Sequence, residues 1–168
     1  GMLRAGLDML PDHPDYRPFY DRFLVHYQSA ICVDTCLFDG IDTLVDCLES
    51  HGIAWGIVTN KSQRFTAPLM ESLGYARRAA CIVSGDSAPR PKPHAHPMHF
   101  ACALAGCQPH TTLFVGDDLR DIQAGQAAGM VTVAAAYGYL GDGGPIESWL
   151  ADHYVSHPSQ IAVIAGIS

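Results

Sequence analysis

Residues 112–130 read TLFVGDDLRDIQAGQAAGM, and this stretch decides the fold. Leu113, Phe114 and Val115 form a short apolar run, the pattern of a strand buried on both faces. Three carboxylates follow within five residues, Asp117, Asp118 and Asp121. From Leu119 the spacing predicts a helix over 119–129, stopped by Gly129. VTVAAA at 131–136 is a second strand. A strand, a helix and a strand in such short order make a parallel unit.

Working outward, the same alternation recurs. IDTLVDCLESH (41–51) carries a helical stripe of Ile41, Leu44, Val45 and Leu48 and stops at Gly52. AWGIVTN (54–60) is an apolar run ending in polar residues, read as a strand over 54–58. A helix over 63–73 ends at Gly74, and ACIVS (80–84) is the next strand. A helix over 97–106 opens at Pro97, a favoured first-turn residue. HYVS (153–156) is a weak last strand before a short helix. Residues 2–30 read as helical, with Tyr16, Phe19, Tyr20, Phe23, Leu24 and Tyr27 at three- and four-residue spacing. The prediction is an α/β, Rossmann-like parallel sheet with helices on both faces. Ligands of such sheets bind at the carboxyl ends of the strands.

Composition narrows the function. The 168 residues are 48% hydrophobic and 16% charged, with a formal net charge of −7. No basic run exists, which argues against a nucleic-acid surface, since neutralising phosphates takes clustered Lys and Arg. No stretch approaches the ~20 apolar residues of a membrane span. The opening residues lack the apolar core of a secretory leader, and Gly1 before Met2 reads as a tag remnant. The six cysteines, at 32, 36, 47, 81, 102 and 107, form no CxxC pair and read as small hydrophobes of a reduced cytoplasmic protein.

Three places after strands could carry chemistry. Thr59 and Asn60 offer a hydroxyl and an amide to an anion, or serve as a turn or helix cap. Lys92 lies between Pro91 and Pro93, held stiffly, as an anion partner or a plain loop lysine. Asp117, Asp118 and Asp121 would repel one another unless neutralised. A hard cation such as Mg²⁺ with phosphate and water ligands is one remedy. Acids capping a helix N-terminus are the other reading, and it explains one Asp better than three. His94, His96 and His99 do not make a convincing ligand set across the intervening Pro97.

Taken in order, Thr59-Asn60, then Lys92 in RPKPHAHP, then VGDDLRDIQAGQAAGM at 115–130, the chain resembles the haloacid dehalogenase superfamily. The tail AAAYGYLGDGGPIESWLADHYVSHPSQI looks like that of its phosphoglycolate phosphatases. The resemblance covers about residues 15–165 and implies a Mg²⁺-dependent phosphate monoester hydrolase acting on a small phosphorylated metabolite. By it, an aspartate attacks phosphorus to form an aspartyl-phosphate that water cleaves. Thr59, Asn60 and Lys92 would bind phosphate. Lys92 and Asp121 would be catalytic, Asp121 orienting Lys92 or metal-bound water. Asp117 and Asp118 would face the metal.

One part of the pattern is missing. The family's first motif is Asp-x-Asp followed by Gly-Thr, on the central strand, and its first Asp is the nucleophile. No Asp stands two residues before another Asp anywhere in this sequence. LFDGIDTLVD (37–46) mimics it, but Asp39 and Asp42 are three apart and the stretch sits where the family links cap to core. The expectation is therefore a partial helical cap at 2–30 and a core at 31–168 without its first strand, truncated and inactive. The alternatives are a non-catalytic anion-binding or assembly protein and a small phosphatase using Asp39. The lost strand would leave a gap between strands 54–58 and 112–116. Residues 31–38 (ICVDTCLF), a cross-paired homodimer or direct closure of the two strands would fill it.

Overall fold

The computed structural model describes residues 9–141 and 143–167. The chain divides into two compact units between Thr35 and Cys36. In the first, the helix α1 runs Tyr16–Ser29. The predicted helix over 2–30 is thus shorter: Pro11 and Pro14 lie in turns, and residues 2–8 fall outside the described part. Proline lacks the N–H and disfavours helix in the residue before it, so the helix begins only beyond Pro14. Tyr16 stacks on Tyr20 and Phe23 on Tyr27, with ring centroids 5.7 and 5.8 Å apart. No residue of α1 is fully buried.

The second unit alternates helices and strands. Its elements are α2 (Ile41–Ser50), β1 (Gly56–Val58), α3 (Gln63–Ser72), β2 (Cys81–Val83), α4 (His96–Ala105), β3 (Leu113–Gly116), α5 (Leu119–Ala128), β4 (Val131–Ala135), β5 (His153–Val155) and α6 (Ser159–Ile164). Every predicted strand and helix of this unit is present, with ends moved by a residue or two. All pairings are parallel. β4 shows how the layers arise. Successive side chains of a strand point to opposite faces. Val133 and Ala135 pack with Leu44 of α2, Val155 and Ile161 on one face. Ala134 packs with Ile122 of α5 and Trp149 on the other. This is the three-layer, Rossmann-like arrangement.

The sheet, however, is in two pieces. β1 pairs only with β2, and β3, β4 and β5 form a separate sheet in that order. Neither 31–38 nor direct closure fills the space, which corrects both expectations. Residues 31–38 form turns and irregular chain. The Thr35 hydroxyl donates to the Ile31 carbonyl at 3.2 Å, so a polar side chain satisfies the backbone locally and a turn wins over a strand. The two sheets share one apolar cluster instead. Met98 and Cys102 of α4 and Ala124 and Ala128 of α5 pack with Val58 of β1 and Phe114 of β3.

Candidate functional site

The carboxyl ends of β1 and β3 bring Asp121 and Asn60 against Lys92, with Thr59 and Asp117 following the same two strands. Lys92 Nζ lies 2.7 Å from Asp121 Oδ1, and both side chains are only 10% exposed. The same ammonium donates to the Val58 carbonyl at 2.9 Å and stands 5.6 Å from the centre of the Phe114 ring. A lysine held this way is no ordinary loop lysine. Asp121 enters because α5 begins directly behind β3 and because Gly116 has no side chain: a Cβ there would collide with the Asp121 carboxyl.

Thr59 continues the β1–β2 ladder through its N–H to the Val83 carbonyl at 2.9 Å, and its Oγ1 accepts from Lys61 N at 3.1 Å. The Asn60 amide faces the main chain of Lys92: Nδ2 donates to its carbonyl and Oδ1 accepts from its N–H, each at 3.0 Å. The Lys92–Pro93 peptide is cis.

The three aspartates have separate environments. Asp121 pairs with Lys92. Asp118 is the N-cap of α5, accepting from Arg120 N at 2.9 Å, and its two oxygens also take the Arg120 guanidinium at 2.9 and 2.6 Å. Hydrogen bonding to Arg120 holds its carboxyl below the usual carboxylate range. The capping reading therefore accounts for Asp118. Asp117 Oδ2 accepts from Tyr139 N at 2.8 Å. Burial, and then the charge of Asp117, pushes the Tyr137 phenol above its ordinary range. Phe38, with ring centroids 5.6 Å from Tyr137 and 5.2 Å from Tyr139, completes an aromatic edge beside Asp117.

Among the described residues, no three His, Cys, Asp or Glu side chains are arranged to hold a metal ion. Of the carboxylates after β3, Asp121 is paired with Lys92 and Asp118 with Arg120, which leaves Asp117, whose Oδ2 accepts from Tyr139 N. Such a set suits only Mg²⁺ that draws most of its ligands from phosphate and water. Asp39 is exposed in the turn ahead of Gly40, and among the described residues no hydrogen bond or ion pair joins it to Lys92. A shallow hollow lined by Gln63, Met70, Ile82 and Ser84 includes none of Thr59, Lys92, Asp117 or Asp121. Sequence reasoning missed the Val58 carbonyl, Arg120 and the aromatic edge. YGY at 137–139 was the one available signal, since two rings just past a strand end are placed to border a site.

This geometry matches a known family. The model of the haloacid dehalogenase-like hydrolases matches residues 4–135. The chain belongs to the haloacid dehalogenase-like hydrolase family. One relative in it, the N-acetylmuramic acid 6-phosphate phosphatase of Pseudomonas aeruginosa, is 40% identical over 160 residues, covering 95% of this chain and 71% of the relative. The phosphoglycolate phosphatase of Xanthomonas campestris pv. campestris is 41% identical over 140 residues, 83% of this chain and 63% of that protein. Among solved structures, a predicted phosphoglycolate phosphatase from Haemophilus somnus 129PT superposes with a TM-score of 0.85 at 26% identity, over 96% of this chain and 71% of the other. Haloacid dehalogenase-like architecture thus agrees with the α/β alternation and with the placing of the acidic stretch after β3. No helix among the described residues is long and apolar enough to cross a membrane.

Proposed function

We propose that these 168 residues form the phosphate-holding side of a phosphoglycolate phosphatase-like phosphate monoester hydrolase whose substrate is a small phosphorylated metabolite. The observation that carries the reading is Lys92, its ammonium fixed between Val58 and Asp121 at the strand ends that also present Thr59. In this reading, Thr59 and the neighbouring main-chain N–H groups hold phosphate oxygens. Lys92 offsets the charge of phosphate and nucleophile, and Asp121 keeps the ammonium in place. Phosphoryl transfer is mostly positioning and charge stabilisation, which such a set supplies. Asp117 would hold Mg²⁺, which when bound neutralises phosphate charge. The six free cysteines suit a reducing, cytoplasmic setting.

No Asp-x-Asp occurs in the sequence, and among the described residues no hydrogen bond or ion pair joins Asp39 to Lys92. The isolated chain is therefore proposed to hold phosphate without turning esters over. The nucleophile would arrive on an extended segment pairing with the free edges of β1 and β3, each of which has one strand neighbour. A homodimer that cross-pairs those edges is the competing occupant, and light scattering at micromolar concentration separates the two.

The test is an assay of phosphoglycolate, N-acetylmuramic acid 6-phosphate and an aryl phosphate with Mg²⁺, beside calorimetry with inorganic phosphate. The expected result is phosphate binding that Lys92→Ala weakens markedly but leaves measurable, with no turnover. Robust hydrolysis abolished by Asp39→Asn would replace this reading with Asp39 as nucleophile.

A further inference from the structure

We infer that Asn60 is a positioning residue, which acts on a bound anion only through Lys92 and does not itself touch the anion. The inference rests on the anion site proposed above and reassigns one of its members.

The two ends of Lys92 are held by different means. Its ammonium is held by Val58 and Asp121. Its main chain lies in Pro91-Lys92-Pro93, where the prolines have no N–H, so Lys92 carries the only backbone donor of the three. That donor goes to Asn60 Oδ1 at 3.0 Å, and Asn60 Nδ2 returns a bond to the Lys92 carbonyl at 3.0 Å. A side-chain amide thus pairs with the N–H and the carbonyl of one residue, as a neighbouring strand would. It joins the loop after β1 to a loop 32 residues further on.

A second feature seats Asn60 itself. Gly85, just past β2, lies so close to the Asn60 main chain that a Cβ there would fall 3.1 Å from Asn60 Cα and closer still to its carbonyl. Asn60 is therefore confined between Gly85 on its main chain and Lys92 on its side chain. With the amide carbonyl and one amide hydrogen committed to Lys92, the group is oriented by the loop and not by a ligand. A lysine has a long, flexible stem, so the place where that stem begins decides where its ammonium is available.

The experiment is a double-mutant cycle on the full chain with inorganic phosphate as probe, titrated by calorimetry, beside amide hydrogen exchange. Asn60→Ala is expected to speed exchange of the Lys92 N–H by at least about tenfold, the equivalent of losing one hydrogen bond. It is also expected to weaken phosphate binding by about 5- to 20-fold, since removing the clamp costs one or two hydrogen bonds. In a Lys92→Met background the same change should have no further effect, because coupled residues are non-additive. Asn60→Asp keeps the acceptor and loses the donor, so the Lys92 N–H should stay protected, which guards against an Ala variant that merely misfolds. Additive losses in the cycle, or Lys92 exchange unchanged in Asn60→Ala, would overturn the inference. Absence of phosphate binding in the wild type would sink the anion-site reading itself. The exchange arm would then still decide for or against the clamp.

Discussion

β4 and β1 are both parallel strands with apolar side chains, yet they sit in opposite circumstances. β4 has a strand on each side, and its Val133 and Ala134 are fully buried. β1 has only β2 beside it, and Gly56 is exposed while Ile57 and Val58 are half-buried. The carboxylates of the candidate site follow β3, at the edge of the three-stranded sheet and beside β4, whereas Thr59 and Asn60 stand on a two-stranded one. Two strands alone are marginally stable in water. What steadies the β1 side is a set of side-chain joints. Val58 and Phe114 share the Met98 cluster, and Lys92 bonds to Asp121. At the other end of β1, Arg78 pairs with Asp46 and Glu49 of α2 at 2.5 and 2.9 Å, and Trp55 donates to Glu49 at 2.9 Å. The β1 side is thus held by one apolar cluster and a set of polar contacts, not by a strand on each side.

The largest effect should separate the halves directly. Ile122 is fully buried under β4, so Ile122→Ala is expected to cost about 4 kcal/mol. Ile57→Ala, half-buried in β1, should cost less than half as much by urea denaturation. Equal losses would mean that β1 is packed as fully as β4. The next effect tests the joint. Lys92→Met leaves the Asp121 carboxylate buried and unpaired, at a cost of about 3 kcal/mol. Adding Asp121→Asn should return much of that loss, and a double variant as unstable as the two losses added would show that the pair is not coupled.

The smallest effect lies wholly in the three-stranded sheet. Asp152 Oδ2 accepts from Thr132 N at 2.7 Å and from its hydroxyl at 2.8 Å. The main-chain bond first, and the hydroxyl second, hold its pKa below the usual carboxylate range. A carboxylate depressed on folding adds stability above its unfolded pKa, about 3.9. That stability is lost as pH falls through the lower folded value. Urea midpoints measured from pH 6 to pH 3 should thus fall less steeply in Asp152→Asn than in the wild type. Identical slopes would remove Asp152 from the account.

Much of this was readable from the residues alone. Apolar periodicity and the Gly52, Gly74 and Gly129 stops placed α2 to α5 and all five strands, because such signals are local. Lys92 and Asp121 are marked in the sequence by their places after strands, and those two do meet. Residues 31–38 misled, since Ile, Val and Phe favour a strand only where a neighbour pairs with it. Asp118 could not be assigned in advance, because its choice between cap, arginine and metal depends on how the first turn of α5 is oriented.

By itself, then, the sequence determined the alternation of helices and strands, the family resemblance and the absence of a paired-aspartate motif. Only the tertiary structure decided which strands pair, that the sheet stays in two pieces, and that Lys92 spans them with Asn60 at its base. The reason is physical. Helix and strand preferences are set by neighbours a few residues apart. Strand pairing and the partners of a lysine or an amide depend on which groups the fold brings within 3 Å of one another, whatever their distance along the chain.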